Sequence, residues 1–278
     1  MEIAVLLIVG GIATGVFGAL LGLGGGVLLV PLLTLGFNLP VREAVGVSLV
    51  CVIVTSAASA AIFLDRGAAN LRLGMVLELF TAVGALIGGL IAFLLDERLL
   101  AGLFAILLVY TAATMLRPRR GAAATDSTLP PPEPRPPTSP ARGRILDGMS
   151  GPDYRVRAPV SGAVGGVGGG IVSALLGIGG GLVMVPVMHL LMGVPLRVAT
   201  ATSNFMIAIT ASTSAIVYLL RGGIDPYATA PAALGVFLGA TIGSRIAHRV
   251  DVRVLRFLFA AVLAYTAYLM VRRAVGMP

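Results

Sequence analysis

Leu21-Gly22-Leu23-Gly24-Gly25-Gly26, near the start of this 278-residue chain, returns as Leu176-Gly177-Ile178-Gly179-Gly180-Gly181, an offset of 155 residues. The same offset holds without a gap from about Gly10 to Ala112, so that Pro31, Pro40, Arg42, Ser48, Thr55 and Tyr110 recur as Pro186, Pro195, Arg197, Ser203, Thr210 and Tyr265. A register that long reads as two copies of one unit. Each glycine run interrupts an apolar stretch, residues 3–35 and 159–192. One helix of that length would measure about 50 Å against a hydrocarbon core of about 30 Å, so the stretch must break, tilt or fold back. The glycines supply the break, because a backbone without Cβ reaches unwound and left-handed conformations at little steric cost. Pro31 and Pro186 follow seven residues after Gly24 and Gly179, where they kink the next half-helix or start a new one.

Composition names the solvent. Hydrophobic residues make up 57% of the chain and charged residues 12%, a balance that excludes soluble α/β folds and predicts an all-α polytopic membrane protein. Further apolar segments are expected at 44–64, 71–95 and 99–116, then at 199–220, 227–247 and 254–271, giving about eight to ten membrane segments in two repeats, residues 1–116 and 158–278. Between them, residues 117–157 hold nine of the seventeen prolines and eight of the twenty Arg, with no apolar cluster. Such a stretch cannot bury enough surface to fold alone, so it is expected to be a disordered linker. Against four acidic residues those eight Arg give the stretch a net +4, half of the chain's +8. It fits retention of a cytoplasmic loop by the positive-inside rule and membrane lipid as partner, rather than nucleic acid. Cys51 is the only cysteine, which excludes an intramolecular disulfide or a cysteine metal cluster. Met1 and Glu2 lead directly into apolar residues without the basic flank of a secretory signal, so the first segment is expected to stay in the membrane.

Topology depends on the broken segments. If each crosses once, the two halves are parallel; if each goes across and back, they are inverted. Both alternatives put the linker in the cytoplasm. The Arg distribution favours inversion slightly, and broken segments at matching places in two halves are the usual pointer to an inverted-repeat transporter.

Leu20 through Val27 with Val30-Pro31-Leu32-Leu33, and the second copy from Leu175 through Met188, resemble the repeated signature of the sulfite exporter TauE/SafE family. The resemblance covers nearly the whole chain apart from the linker, which is longer than the family pattern leads one to expect. It implies a secondary transporter of the inner membrane for small sulfur anions, such as sulfite or sulfonates, linked to the proton-motive force. The residues lead to a compatible site by another route. Half-helix N-termini in an inverted pair point partial positive charge at the midplane, so the amides of Gly24, Gly25 and Gly26 and of Gly179, Gly180 and Gly181 suit an anion. The competing reading of these glycines is close helix packing, which is also the reading for Gly84, Gly88, Gly239 and Gly243.

Ser48, Thr202, Ser203 and Asn204 are hydrogen-bonding candidates for the substrate, against the alternative that such groups bond to their own helix or glue helices together. Glu78, with Ala233 at its repeat position, is the candidate for proton coupling, unless it snorkels to the interface. Arg42 and Arg197 are candidates for an anion-attracting vestibule or interfacial anchors, and Asp96 and Asp251 are expected to cap the helices that follow. His189 and His248 lack partners at metal-ligand spacing, and no cofactor motif is present, so neither metal nor cofactor is expected. Rival functions are an intramembrane hydrolase using Ser203 or Ser48 with His189, and a scaffold or sensor acting through the linker.

Overall fold

The computed structural model describes residues 2–21, 25–65, 69–116, 150, 154, 156–246 and 252–275; the side chains at 21, 58–65, 115, 116, 197, 244, 246, 252–256 and 258 fall outside the description. Most of the stretch 117–157 and three residues of the first glycine run, 22–24, also lie outside it. The described residues form an all-α membrane protein. Its helices are α1 (Glu2–Leu21), α2 (Gly26–Pro31), α3 (Val41–Asp65), α4 (Leu71–Leu94) and α5 (Glu97–Leu116), then α6 (Pro159–Leu176), α7 (Gly181–Pro186), α8 (Leu196–Leu220), α9 (Pro226–Ile246) and α10 (Val252–Val275). Five stretches among the described residues are long and apolar enough to cross a membrane: Glu2–Leu20, Leu71–Leu94, Glu97–Thr114, Pro159–Leu176 and Val198–Leu220.

The long apolar stretches break where their glycines stand. α1 ends at Leu21 and α2 starts at Gly26; α6 ends at Leu176 and α7 starts at Gly181. Gly177, Gly179 and Gly180 all have positive φ, at 67°, 76° and 77°, and Gly25 matches them at 75°. These are left-handed conformations that a side chain with Cβ resists. Pro31 and Pro186 lack the N–H that an α-helix needs at their positions, and after each the helix widens into a π-helical stretch, Leu32–Gly36 and Val187–Leu191.

Beyond the break the chain doubles back. A Cβ on Gly169 would touch Val183 and Met184, one on Gly165 would meet Val187, and one on Gly162 would meet Met192. The backbone N–H of Arg157, just before α6, donates to the carbonyl of Met192 at 2.9 Å. The end of the second half-helix therefore lies beside the start of the first. In the other half, Gly10 packs on Leu32 in the same way, and the guanidinium of Arg273 donates to the carbonyls of Thr34 and Leu39 where that half-helix ends.

The remaining helices pack across the two halves: α1 on α9, α6 on α4, α3 on α8 and α5 on α10. Glycine makes the first two contacts possible. A Cβ on Gly239 would come within 2.2 Å of the Ile12 carbonyl oxygen, and one on Gly84 within 2.1 Å of that of Val167. Gly88 approaches Ile171 and Gly243 approaches Val16 in the same manner. Small residues at four-residue spacing let backbones approach in lipid, where hydrophobic burial between helices supplies no drive. α4 displays the resulting inside-out pattern. Leu79, Val83, Leu86 and Leu90 are exposed towards lipid, while Gly74, Glu78, Thr81, Gly84, Gly88 and Ala92 face inward.

At the far end of the proline-rich stretch, Val156 is buried and Tyr154 packs on a cluster that includes Leu73, Leu77 and Met188. Asn70 caps α4 there: its Oδ1 accepts from the Leu73 N–H at 3.0 Å, and its Nδ2 donates to the Tyr154 hydroxyl at 2.7 Å.

The packing role of the helix glycines has a direct check. Gly239→Ala should lower the thermal stability of the detergent-solubilised protein by about 1–3 kcal/mol through overpacking. Gly168→Ala, whose Cβ meets nothing within 4 Å, should be neutral or stabilising by up to about 1 kcal/mol. Equal melting temperatures for the two variants would contradict the close-approach account.

Candidate functional site

The two glycine turns meet. A Cβ on Gly26 would lie 2.7 Å from the Gly177 carbonyl oxygen and 3.1 Å from Ser48 Oγ. Ser48, on α3, sits between them and donates to the Gly177 carbonyl at 2.7 Å and more weakly to that of Gly26 at 3.4 Å. Gly25 and Gly180 stand at the N-cap positions of α2 and α7, where their carbonyls accept the first intrahelical bonds. Gly24 lies outside the described residues. Val52 from α3 and Ile207 from α8 fill the space over Gly179, so protein covers the second turn. An unwound backbone at this depth is tolerated only under such cover.

Ser203, on α8, is the positional counterpart of Ser48 but bonds differently. Its hydroxyl lies 3.3 Å from where a Gly181 Cβ would stand. It is 2% exposed and has no hydrogen-bond partner among the described residues. Ser173 on α6 and Ser56 on α3 are also buried hydroxyls without a partner among the described residues. Leaving such a group unsatisfied costs about 1–3 kcal/mol, so each calls for an explanation.

The other candidate hydrogen-bonding groups are engaged. Thr202 Oγ1 accepts from the Asn70 backbone N–H at 2.9 Å, which ties α8 to the start of α4. Asn204 Nδ2 donates to the Thr200 carbonyl one turn back at 3.0 Å, and Thr200, Ser212, Thr213 and Ser214 likewise bond within α8.

Glu78 lies on the inward face of α4, 5% exposed, and does not snorkel. Thr81 Oγ1 donates to its Oε2 at 2.9 Å, and Thr210 Oγ1 reaches Oε1 and Oε2 at 2.9 and 3.1 Å. Its recorded partners among the described residues are these hydroxyls, with no basic group. A charge on this carboxyl has no counter-ion there, so gaining or losing a proton changes the local energy sharply. Thr210 is on the same helix as Ser203, two turns further along.

Arg42 directs its guanidinium away from the glycine turns. Nε and Nη2 donate to the carbonyls of Ala92 and Leu95 at 3.3 and 2.9 Å, satisfying the C-terminal end of α4, and the group stacks over the Phe93 ring at 5.2 Å. Arg197 lies in the first turn of α8, and its side chain falls outside the described residues. α5 begins directly after Asp96, whereas Asp251 and His248 are not described. His189 Nδ1 stands 2.9 Å from the Val194 carbonyl oxygen. A groove of about 370 Å³ between α1, α2 and α10 is lined by Phe17, Leu28, Leu32, Phe259 and Leu269, with Thr14 and Thr266 hydroxyls bonded to their own helices. It offers nothing to an anion.

Over residues 7–270 the chain matches the family described as sulfite exporter TauE/SafE. The chain belongs to the TauE/SafE family. A "Probable membrane transporter protein YunE" from Bacillus subtilis (strain 168) is 26% identical over 270 residues, covering 93% of this chain and 94% of the relative. No solved structure matches the chain significantly. As a TauE/SafE member it is a membrane transporter rather than an enzyme.

Sequence patterns alone missed Ser173 and Thr81. Ser173 stands at the repeat position of Gly18, and Thr81 at that of Val236, so comparing the copies for shared polar residues passes over both. A search for polar residues present in one copy only would have found them together with Glu78.

Arg42→Ala should destabilise the protein by about 2 kcal/mol, the scale of hydrogen bonds to a charged group. Lys should restore only part of the loss, because it lacks the planar fork. Thermal unfolding of the purified variants is the measurement; an Arg42→Ala protein as stable as the native one would remove this capping role.

Proposed function

We propose that this TauE/SafE transporter moves a small sulfur-containing anion, sulfite or an organosulfonate, across the inner membrane by alternating access between two inverted repeats, driven by the proton-motive force. The observation that carries the proposal is the convergence of two glycine turns, covered by protein within the membrane, in a chain of this family. The amides of Gly25 and Gly26 and of Gly179 to Gly181 are the backbone donors, and Gly24 joins them on the sequence register. Such donors suit the oxygens of a sulfur anion.

Inversion is supported by the doubling back of each broken segment, which gives each half an odd number of passes and starts the second half on the opposite side of the membrane. The eight Arg of residues 117–157 support a cytoplasmic position for the linker by the positive-inside rule. Glu78 is the proton carrier in this reading, since it is buried and held only by hydroxyls. Import, or a different small anion, uses the same machinery, because a secondary carrier runs down whichever gradient is present. The hydrolase alternative loses support from the bonding of its groups: Ser48 donates to backbone carbonyls, Ser203 has no partner, and His189 is engaged by the Val194 carbonyl.

Sulfite efflux from proteoliposomes tests the reading. Native protein should give saturable flux that a pH gradient accelerates, and the folded Gly26→Leu, Gly181→Leu double variant should give none. Silence across sulfite, sulfonates, thiosulfate and carboxylates would overturn the carrier proposal.

Glu78→Gln keeps the shape of the side chain and removes its titration. It should retain sulfite flux down a concentration gradient while losing the acceleration by the pH gradient. Unchanged pH-driven flux in this variant would end the coupling role of Glu78.

A further inference from the structure

Among the described residues, two of the three unpartnered buried hydroxyls lie against the same turn. Ser203 Oγ is 3.3 Å from the position of a Gly181 Cβ, and Ser173 Oγ is 3.7 Å from that of a Gly180 Cβ. They come from different helices, α8 and α6, and approach adjacent residues of the second glycine turn. Ser173 is fully buried and Ser203 nearly so. Among the described residues, no such pair faces the first turn. Ser48, which corresponds to Ser203, spends its proton on the Gly177 carbonyl at 2.7 Å, and the position corresponding to Ser173 is Gly18.

We infer that the hydroxyls of Ser173 and Ser203 act as a pair of donors to the substrate's oxygens at the second glycine turn, while Ser48 serves to strap the two turns together. This inference rests on the anion-carrier reading and assigns its two halves different tasks. A hydroxyl is a neutral donor, so the pair holds an anion without adding a cation to the membrane interior, and it releases the anion more easily than an ion pair does. The ligand class follows from the count of donors. Two hydroxyls take two oxygens of a three-oxygen head, and the third is left to the backbone of the turn. A sulfonate or sulfite offers each donor an oxygen of its own; a planar carboxylate must bring two of the three donors to one oxygen, a poorer geometric match. Val52 and Ile207 close over Gly179, so the substrate reaches the pair when these two helices part.

Cysteine labelling tests the pair without relying on transport. Cys51, the only native cysteine, is buried in α3, and a Cys51→Ala background removes it. In that background Ser173→Cys, Ser203→Cys and Ser48→Cys are each treated, in membranes, with the anionic thiol reagent sulfonatoethyl methanethiosulfonate. Positions 173 and 203 should be modified, methanesulfonate should protect both while acetate should not, and position 48 should stay unmodified. No modification at 173 and 203 in folded protein, or modification that methanesulfonate does not slow, would overturn the assignment. A second arm uses sulfite flux. Ser173→Ala and Ser203→Ala should each raise KM about tenfold, the effect of losing one hydrogen bond to a charged ligand, with little change in maximal rate. Ser48→Ala should lower thermal stability instead. The two readings fail differently. Flux with an unchanged KM in both alanine variants removes the serine pair and leaves the carrier, whereas protected labelling without any flux leaves the anion site and removes the carrier.

Discussion

Backbone polar groups within hydrocarbon must be bonded, and the structure is organised around the two places where this rule is strained. At each glycine turn the helix opens and its carbonyls and N–H groups lose their intrahelical partners. The fold answers with cover. Ser48 takes up the Gly177 carbonyl, Val52 and Ile207 seal Gly179, and α3 and α8 cross over the pair of turns. That cover depends on tight packing further out, where glycines on α4 and α9 bring backbone against backbone with α6 and α1. A bulky residue at those contacts would force the outer helices apart and loosen the enclosure of the turns.

The two halves run in one sequence register yet differ at more than half of the paired positions between Gly10 and Ala112. Helix boundaries recur at an offset of 155 residues for α2 and α7 and for α3 and α8. The polar residues do not recur so faithfully. Glu78 faces Thr81 and Thr210, while the corresponding positions of the first two are Ala233 and Val236. α8 therefore carries unlike tasks along one helix: Thr202 is tied to Asn70, Ser203 stands free beside the glycine turn, and Thr210 holds the buried carboxyl. Ser203 and Thr210 are seven residues apart, about 10 Å along the axis. A rotation or shift of α8 moves both at once, so in the proposed mechanism substrate and proton share one mechanical element.

Much of the fold was legible because hydropathy and glycine placement are local properties. The segment expected at 71–95 is α4 at Leu71–Leu94, that expected at 199–220 is α8 at Leu196–Leu220, and the stretches 3–35 and 159–192 break at their glycines. Segment ends shift by two or three residues where polar groups join a helix, as Arg42 and Glu43 do in the first turn of α3. The glycines of α4 and α9 were also readable as packing positions from their spacing.

The sequence by itself determined a membrane solvent, the run of helices, the points of breakage and the family. It did not determine which polar side chain is available. Ser48 and Ser203 are the same residue type at matching positions, yet one is bonded across 129 residues of chain and the other to no group among the described residues. Arg42 follows a proline at a helix start, which suggested a vestibule, but its guanidinium belongs to carbonyls fifty residues away on α4. Glu78 faces inward because Thr210, 132 residues later, supplies a hydroxyl there. Hydropathy is a sum over neighbours in sequence, whereas a hydrogen bond is satisfied by a partner that only packing brings near.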